Sequence, residues 1–300
     1  MSYKDFLHAM TPYCYTAFFE DEDEYLKEHR PDILKRVDAD GDGTISFTEY
    51  FFFLVLLQSE DRDIRKTWKK YEDKSSKTVT RENCIKMLRE LRKSTQAGAR
   101  QMDRVSIDAR AIKATEEDFT RTNHHLVELL FKDKDSISYD DILSLQFQFW
   151  EDLWHYHFHT LEPNDKGRIS TPMLLSSKLC DLPGSSIEKY RQQISKIERE
   201  LGENDPGITL QEFIVVQIFF NSMSKVKSKM FQRSFLEYDD FKDIFYEITS
   251  EVNYVKKNKI KVPEYVCQSL FGLLDADNSG ELEPHEVLEF NRSIMGKPKD

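Results

Sequence analysis

The chain has 300 residues, of which 39% are hydrophobic and 32% charged, which fits about two folded domains and excludes a disordered chain. Its 54 Asp and Glu outnumber 43 Lys and Arg, and the net charge of −11 argues against nucleic acid as a partner. The longest apolar run, Phe51–Leu57, falls far short of the roughly 20 residues a membrane helix needs, and Met1–Asp5 has no apolar stretch to start a secretory signal.

The opening segment Met1-Ser2-Tyr3-Lys4-Asp5-Phe6 has a pattern: an apolar residue, a Ser, Thr or Glu, two residues, an acid, an apolar residue. With variations the pattern returns at Ile45, Val79, Ile137, Ile169, Ile208, Leu236 and Leu282. Such an internal repeat implies a chain built almost wholly of helix–loop–helix units. The acidic run Glu20–Glu24 reads as a solvated helix start, where acids favour the dipole.

Asp38–Glu49 meets the twelve-residue EF-hand calcium-loop pattern at every diagnostic position. Calcium is a hard cation that takes six to eight oxygens. Asp38, Asp40 and Asp42 supply side-chain oxygens at positions 1, 3 and 5, Thr44 its backbone carbonyl at position 7, and Glu49 a bidentate carboxylate at position 12. Ser46, at position 9, acts through water in this pattern, and Gly43 takes the sharp turn at position 6. Phe47, Tyr50, Phe51, Leu54 and Leu57 then predict a helix with an apolar stripe, and Phe51-Phe52-Phe53 are expected in the core.

The next copies have lost ligands. The loop Glu72–Asn83 carries Lys74 at position 3, Ser76 at 5 and Lys77 at 6. Spacing suggests that this loop pairs with Asp38–Glu49, 34 residues before it. From Lys93 to Asp118 the repeat gives way to a polar stretch that reads as a linker or long loop, with helix resuming near Phe119. His155 and His159 would share a helix face, which suits zinc, but no carboxylate arrangement such as HExxH accompanies them, so packing histidines are the expectation.

The loop ending at Met173 has Lys166 at position 5 and no acid at 12, and the loop ending at Glu212 starts at Leu201. These read as structural hands that brace the competent ones. A weak boundary falls at Asp181–Ser186. Lys256, Lys257, Lys259 and Lys261 form the densest basic patch, with Arg292, Lys297 and Lys299 further on, and read first as solvated surface. Pro263 starts a predicted helix on which Val266, Leu270, Leu273 and Leu274 recur.

That helix leads into the second full loop, Asp275–Glu286. Asp275, Asp277 and Ser279 stand at positions 1, 3 and 5, Glu281 at 7, Glu283 at 9, Glu286 at 12 and Gly280 at the turn. Its expected partner is the copy at Leu236. Cys14, Cys84, Cys180 and Cys267 lie far apart without a CxxC pair and read as buried free thiols. No GxSxG, P-loop or dinucleotide fingerprint occurs, so no enzyme is expected.

The chain resembles the mitochondrial calcium-uptake regulators, the EF-hand proteins that gate the calcium uniporter. The resemblance rests on Ser2–Leu7, Ile45–Leu54, Gly167–Ser170, Val266-Cys267, Phe271–Asp275 and the closing Lys297–Asp300, in that order and over nearly the whole chain. It differs in having its first competent loop at Asp38–Glu49, where the animal members have a degenerate one. The resemblance implies two EF-hand lobes plus a small N-terminal domain, placed here at 1–30, 31–150 and 151–300. It also implies a homodimer or a heterodimer with a paralogue, peripheral to the inner membrane in the intermembrane space. The implied partners are the uniporter's pore subunit and its accessory subunit, and a basic patch would face the acidic pore mouth.

The expected fold is therefore all-α, multiple EF-hand units in two lobes with short paired loop strands. The expected function is a calcium sensor that takes two ions per chain and relieves inhibition of a channel. A soluble calcium buffer or adaptor, or a regulatory subunit of a phosphatase or kinase, is the alternative. The eight methionines provide no Met-rich groove, which favours rearrangement of a folded dimer over wrapping a peptide. Two bound calcium ions would move the net charge from −11 to −7 (−11 + 4), so part of the acid excess reads as a ligand set.

Overall fold

The computed structural model describes residues 1–10, 31–38, 41–95, 127, 129–179, 184–230 and 233–288. The described residues up to Leu153 form one compact unit and those from Trp154 onward a second. In both, helices alternate with short antiparallel strand pairs. The Glu20–Glu24 run, most of the 93–118 stretch, the 181–183 part of the weak boundary and the basic residues after 288 lie outside the described residues, as do Cys14 and Cys180.

In the first unit α1 is Tyr3–Met10, α2 Asp32–Val37, α3 Phe47–Gln58 and α4 Asp61–Tyr71. Strand β1 (Thr78–Thr80) leads into α5 (Arg81–Ser94), and β2 (Ser136–Ser138) into α6 (Tyr139–Thr160), which runs on into the second unit. The repeat pattern is the start of a helix. Ser46 Oγ accepts from Glu49 N at 3.2 Å while Glu49 Oε2 accepts from Ser46 N at 2.8 Å, a reciprocal cap that opens α3. Ser2 with Asp5 and Ser138 with Asp141 make the same exchange. The residue before each cap, position 8 of the loop, gives its backbone to a strand pair.

Those pairs correct one expectation. Ile45 N donates to Met1 O at 2.9 Å and Met1 N to Ile45 O at 2.6 Å, so the hand at Asp38–Glu49 pairs with the partial copy before it. Val79 faces Ile137 instead. The hands couple first with second and third with fourth, even though the polar stretch is inserted within the second couple. Loop-closure cost grows slowly with length, so sequence spacing does not select the partner.

The apolar stripe expected on α3 is also corrected. Phe47 is 65% exposed, while Phe52, Phe53, Val55 and Leu56 are fully buried and Phe51 and Leu57 nearly so. A helix apolar on nearly all sides is an interior helix rather than a one-sided surface one. Phe53 packs edge-on against Phe6 at 5.4 Å and Phe149 at 5.1 Å, which ties α1, α3 and α6 together.

The second unit continues with β3 (Arg168–Ile169), α7 (Thr171–Ser176), α8 (Gly184–Leu201), β4 (Ile208–Thr209) and α9 (Leu210–Asn221). Then come α10 (Met223–Met230), β5 (Leu236–Glu237), α11 (Tyr238–Ser250), α12 (Asn253–Asn258), α13 (Glu264–Leu274) and β6 (Glu281–Leu282). Strand β3 pairs with β4, and β5 with β6, so the last hand does pair with the copy at Leu236. The helix predicted from Pro263 is α13, with Val266, Leu270, Leu273 and Leu274 all fully buried. Cys84 and Cys267 are buried free thiols, pushed by burial up to about 12 and about 11.

His157 is buried on α6, its ring edge-on to Phe213 at 5.3 Å. Burial, with the Lys178 charge nearby, pushes its pKa down to about 3. An unfolded imidazole titrates near about 6.5. Between those values the native state binds fewer protons, so stability is complete above the upper value. It is lost as pH falls toward 3, at up to ~1.4 kcal/mol per pH unit. His157→Leu is therefore expected to flatten the fall of Tm between pH 7 and 5 in thermal unfolding. Equal slopes in the two proteins would show that the imidazole titrates normally.

Candidate metal centres

The second full loop sits between α13 and a helical turn at 284–288. Asp275 closes α13, its N–H donating to Phe271 O at 2.8 Å. Its Oδ1 accepts from Ser279 N and its Oδ2 from Gly280 N, both at 3.0 Å. Gly280, with φ of +82°, takes the left-handed turn that a Cβ would strain. Asp277 Oδ1 also accepts from Ser279 N at 3.0 Å, and hydrogen bonds from Ser279 hold its carboxyl below the usual range. Ser279 Oγ donates to Glu281 O, the position-7 carbonyl, at 2.9 Å.

Glu286 is fully buried. Ala276 N donates to its Oε1 at 2.8 Å and Glu283 N to its Oε2 at 3.1 Å. Burial pushes its carboxyl up, two backbone donors oppose that, and the nearby Asp277 and Asp275 charges add to the rise. Asp275, Asp277 and Glu286 can each offer a carboxylate oxygen, and these oxygens lie within 4.8 Å of one another. An all-oxygen donor set with crowded charge suits a hard divalent cation such as calcium and lacks the thiolate or imidazole ligands that favour zinc.

In the first loop Asp38 and Glu49 are buried, at 4% and 3% exposure, while Asp42 and Thr44 are exposed. Asp38 Oδ1 accepts from Gly41 N at 2.8 Å and its Oδ2 from Gly43 N at 3.3 Å. Gly43, at φ +87°, repeats the turn of Gly280. Asp42 Oδ1 accepts from Thr44 N and Oγ1 at 2.7 and 2.8 Å. Asp40 lies outside the described residues.

Three residues that sequence reasoning missed touch these loops. The Tyr3 hydroxyl, from the partial hand, donates to Asp38 Oδ2. On α8, Gln193 Nε2 donates to Ala276 O at 3.1 Å and Lys196 Nζ to Asn278 Oδ1 at 2.6 Å. No local pattern marks them, because each reaches its loop from a distant part of the chain. Among the described residues His155, His157 and His159 join no cluster of metal-ligating side chains.

The paired helix–loop–helix units and their oxygen-lined loops define an EF-hand protein, and the EF hand family profile matches residues 32–50. The chain is 24% identical over 262 residues to mitochondrial calcium uptake protein 1 of Bos taurus, covering 86% of this chain and 52% of that one. Against the Danio rerio protein of the same name it is 25% identical over 265 residues, covering 86% and 51%. The chain thus spans about half the length of the curated relatives it matches. The structure of EFHA2 in its apo state matches with a TM-score of 0.56 at 17% identity, over 84% of this chain and 73% of that one. The apo structure of MICU2 matches with 0.53 at 14%, over 83% and 65%. Together these findings show an EF-hand fold and a sequence similarity to the mitochondrial calcium uptake proteins over 86% of the chain.

Proposed function

We propose that this chain is a calcium sensor that regulates the mitochondrial calcium uniporter, with one ion in each of the loops Asp38–Glu49 and Asp275–Glu286. The observation that carries the reading is the convergence of Asp275, Asp277 and Glu286 oxygens within 4.8 Å in a hand paired through β5 and β6. Calcium supplies two positive charges where carboxylates crowd. Asp275 ends one helix and Glu286 begins the next, so both helices terminate on the same donor set and a change there reaches both. Filling the loops shifts which surface the protein presents, as a homodimer or a heterodimer with a paralogue, and inhibition of the pore is relieved.

The relatives named as mitochondrial calcium uptake proteins support this place of action. The place proposed is peripheral to the inner membrane, in the intermembrane space; among the described residues no helix is long and apolar enough to cross a membrane. The exposed Lys256, Lys257, Lys259 and Lys261 are available to an acidic pore mouth. The test is conductance of the reconstituted uniporter with added full chain. The chain is expected to suppress current at low calcium and to release it when calcium rises. A chain that binds calcium yet leaves the current unchanged at every calcium level is a buffer, and the regulator reading fails.

A further inference from the structure

The degenerate loops keep some of their acids, and the structure shows what those acids meet. Three of the loops retain an acid at position 12: Asp141, Glu212 and Asp240. All three face a basic side chain of the chain itself. Lys134, at position 5 of its own loop, places Nζ 2.7 Å from Asp141 Oδ1. Arg233, also at position 5 of its loop, pairs through Nη1 with Asp240. Glu212 has no basic residue at position 5 of its loop, and its cation comes across the strand pair. Arg168 Nη1 lies 3.8 Å from Glu212 Oε2 and donates to Gly207 O at 2.8 Å and Pro206 O at 3.3 Å. Gly207 is position 7 of that loop, whose carbonyl would be a calcium ligand. In the loop Glu72–Asn83, where position 12 is Asn83, the surviving acid is Glu72 at position 1, and Lys77 Nζ lies 3.6 Å from it.

We propose that lysine and arginine side chains stand in for calcium in these hands, bridging the remaining ligand positions so that the hands stay closed at any calcium concentration. Ordinary surface ion pairs contribute about 0–1 kcal/mol and follow no common geometry. Three of these pairs instead join two positions of one calcium-type loop, 5 with 12 in two cases and 6 with 1 in the third, and Arg168 reaches its loop across the strand pair. Arg168 is the clearest case, since it contacts a position-12 carboxylate and a position-7 carbonyl together. Asp141 fits the same account: burial pushes its carboxyl up, yet the Lys134 ammonium and the Ser138 donors outweigh that and hold it below the usual range. The consequence is a division of labour, in which calcium changes only the loops free of an internal cation while the others give a fixed frame. The inference rests on the hand pairing alone and not on the uniporter reading.

The loop 201–212 allows a test, because it has Glu203, Asp205, Gly207, Thr209 and Glu212 at ligand positions. It lacks the position-1 ligand, where Leu201 stands, and the position-6 glycine, where Pro206 stands, so Pro206→Gly is included in every variant of the series. In the full chain, Glu49→Gln and Glu286→Gln remove the two full loops from the readout. Leu201→Asp is then added with and without Arg168→Gln. With Arg168 present, calcium at about 10⁻⁴ to 10⁻³ M is expected to leave Tm unchanged. Without it, Tm in chelator falls by about 2–4 °C. Calcium then restores it, and terbium luminescence appears, sensitised by Tyr265, whose hydroxyl is 2.7 Å from Gly207 O. Arg168→Lys in place of Arg168→Gln should behave as the arginine does. An equal cation response with and without Arg168 overturns the proposal, as does a lowered Tm that neither calcium nor terbium restores.

Discussion

Glu286→Gln is expected to remove one calcium ion per chain in calorimetric titration, Glu49→Gln the other, and the double variant both. Position 12 is the bidentate ligand of the loop, and sensor hands that bind at about 10⁻⁷ to 10⁻⁵ M depend on its charge. Gln keeps the size of the side chain and one oxygen, so the loop retains its shape while the site leaves the sensor range. The effect is large in stability as well. A ligand at 100 times its Kd adds about 2.7 kcal/mol to a native state that alone binds it. The rise in Tm between chelator and saturating calcium is therefore expected to shrink in each single variant and vanish in the double. Glu286 is the sharper case because it is fully buried and its carboxyl is already pushed up by burial and by Asp277 and Asp275. A titration still showing two ions in Glu286→Gln would remove that residue from the ligand set.

What the sequence made legible is what the chemistry keeps local. The calcium-loop pattern lies within twelve residues, and so does the cap that links position 9 to position 12. Ser46 with Glu49 and Thr209 with Glu212 form this cap whether or not the loop keeps its other ligands. That is why the pattern at Ile208 survives in a loop that starts with Leu201. Pairing was not legible in the same way. Ile45 takes Met1 and Val79 takes Ile137 because of how the hands pack, and nothing inside a single loop names its partner. The same holds for Tyr3 on Asp38 and for Gln193 and Lys196 at the last loop. Lys166 at position 5 reads only as a lost ligand, and Lys134 and Arg233 hold the same position in their own loops. The contact between Lys134 and Asp141 gives such a residue a second meaning that only the folded loop reveals. Phe47 misled for a related reason. Its spacing fits the stripe of α3, but it sits in the first turn, at the edge of the loop, and remains 65% exposed.

Phe219→Ala is expected to cost about 3–5 kcal/mol, the range for emptying a large buried aromatic site. Phe219 is fully buried on α9, within a run from Phe213 to Phe220 that is buried throughout. Its ring meets Phe241 edge-on at 5.5 Å and Phe245 at 4.8 Å, both on α11. Alanine would leave a void that rigid neighbouring rings cannot fill, and the lost aromatic pairs add to the transfer cost. The drop in Tm should be of the order of 10 °C. Phe47→Ala serves as the contrast, since a mostly exposed ring should change stability by no more than about 0.5 kcal/mol. The position of Phe219 gives the result a wider meaning. Helix α9 leaves the hand braced by Arg168, and α11 leaves the hand braced by Arg233. Phe241 in turn packs against Phe271 at 5.6 Å, on the helix α13 that delivers Asp275 to the last calcium loop. One aromatic layer thus joins two cation-braced hands to the competent one, and a frame of this kind is rigid only while the layer is filled. Urea unfolding of Phe219→Ala should therefore show a lower midpoint with an unchanged slope if the unit stays cooperative. A loss below about 1 kcal/mol would mean that the site collapses and that the layer does not carry the frame.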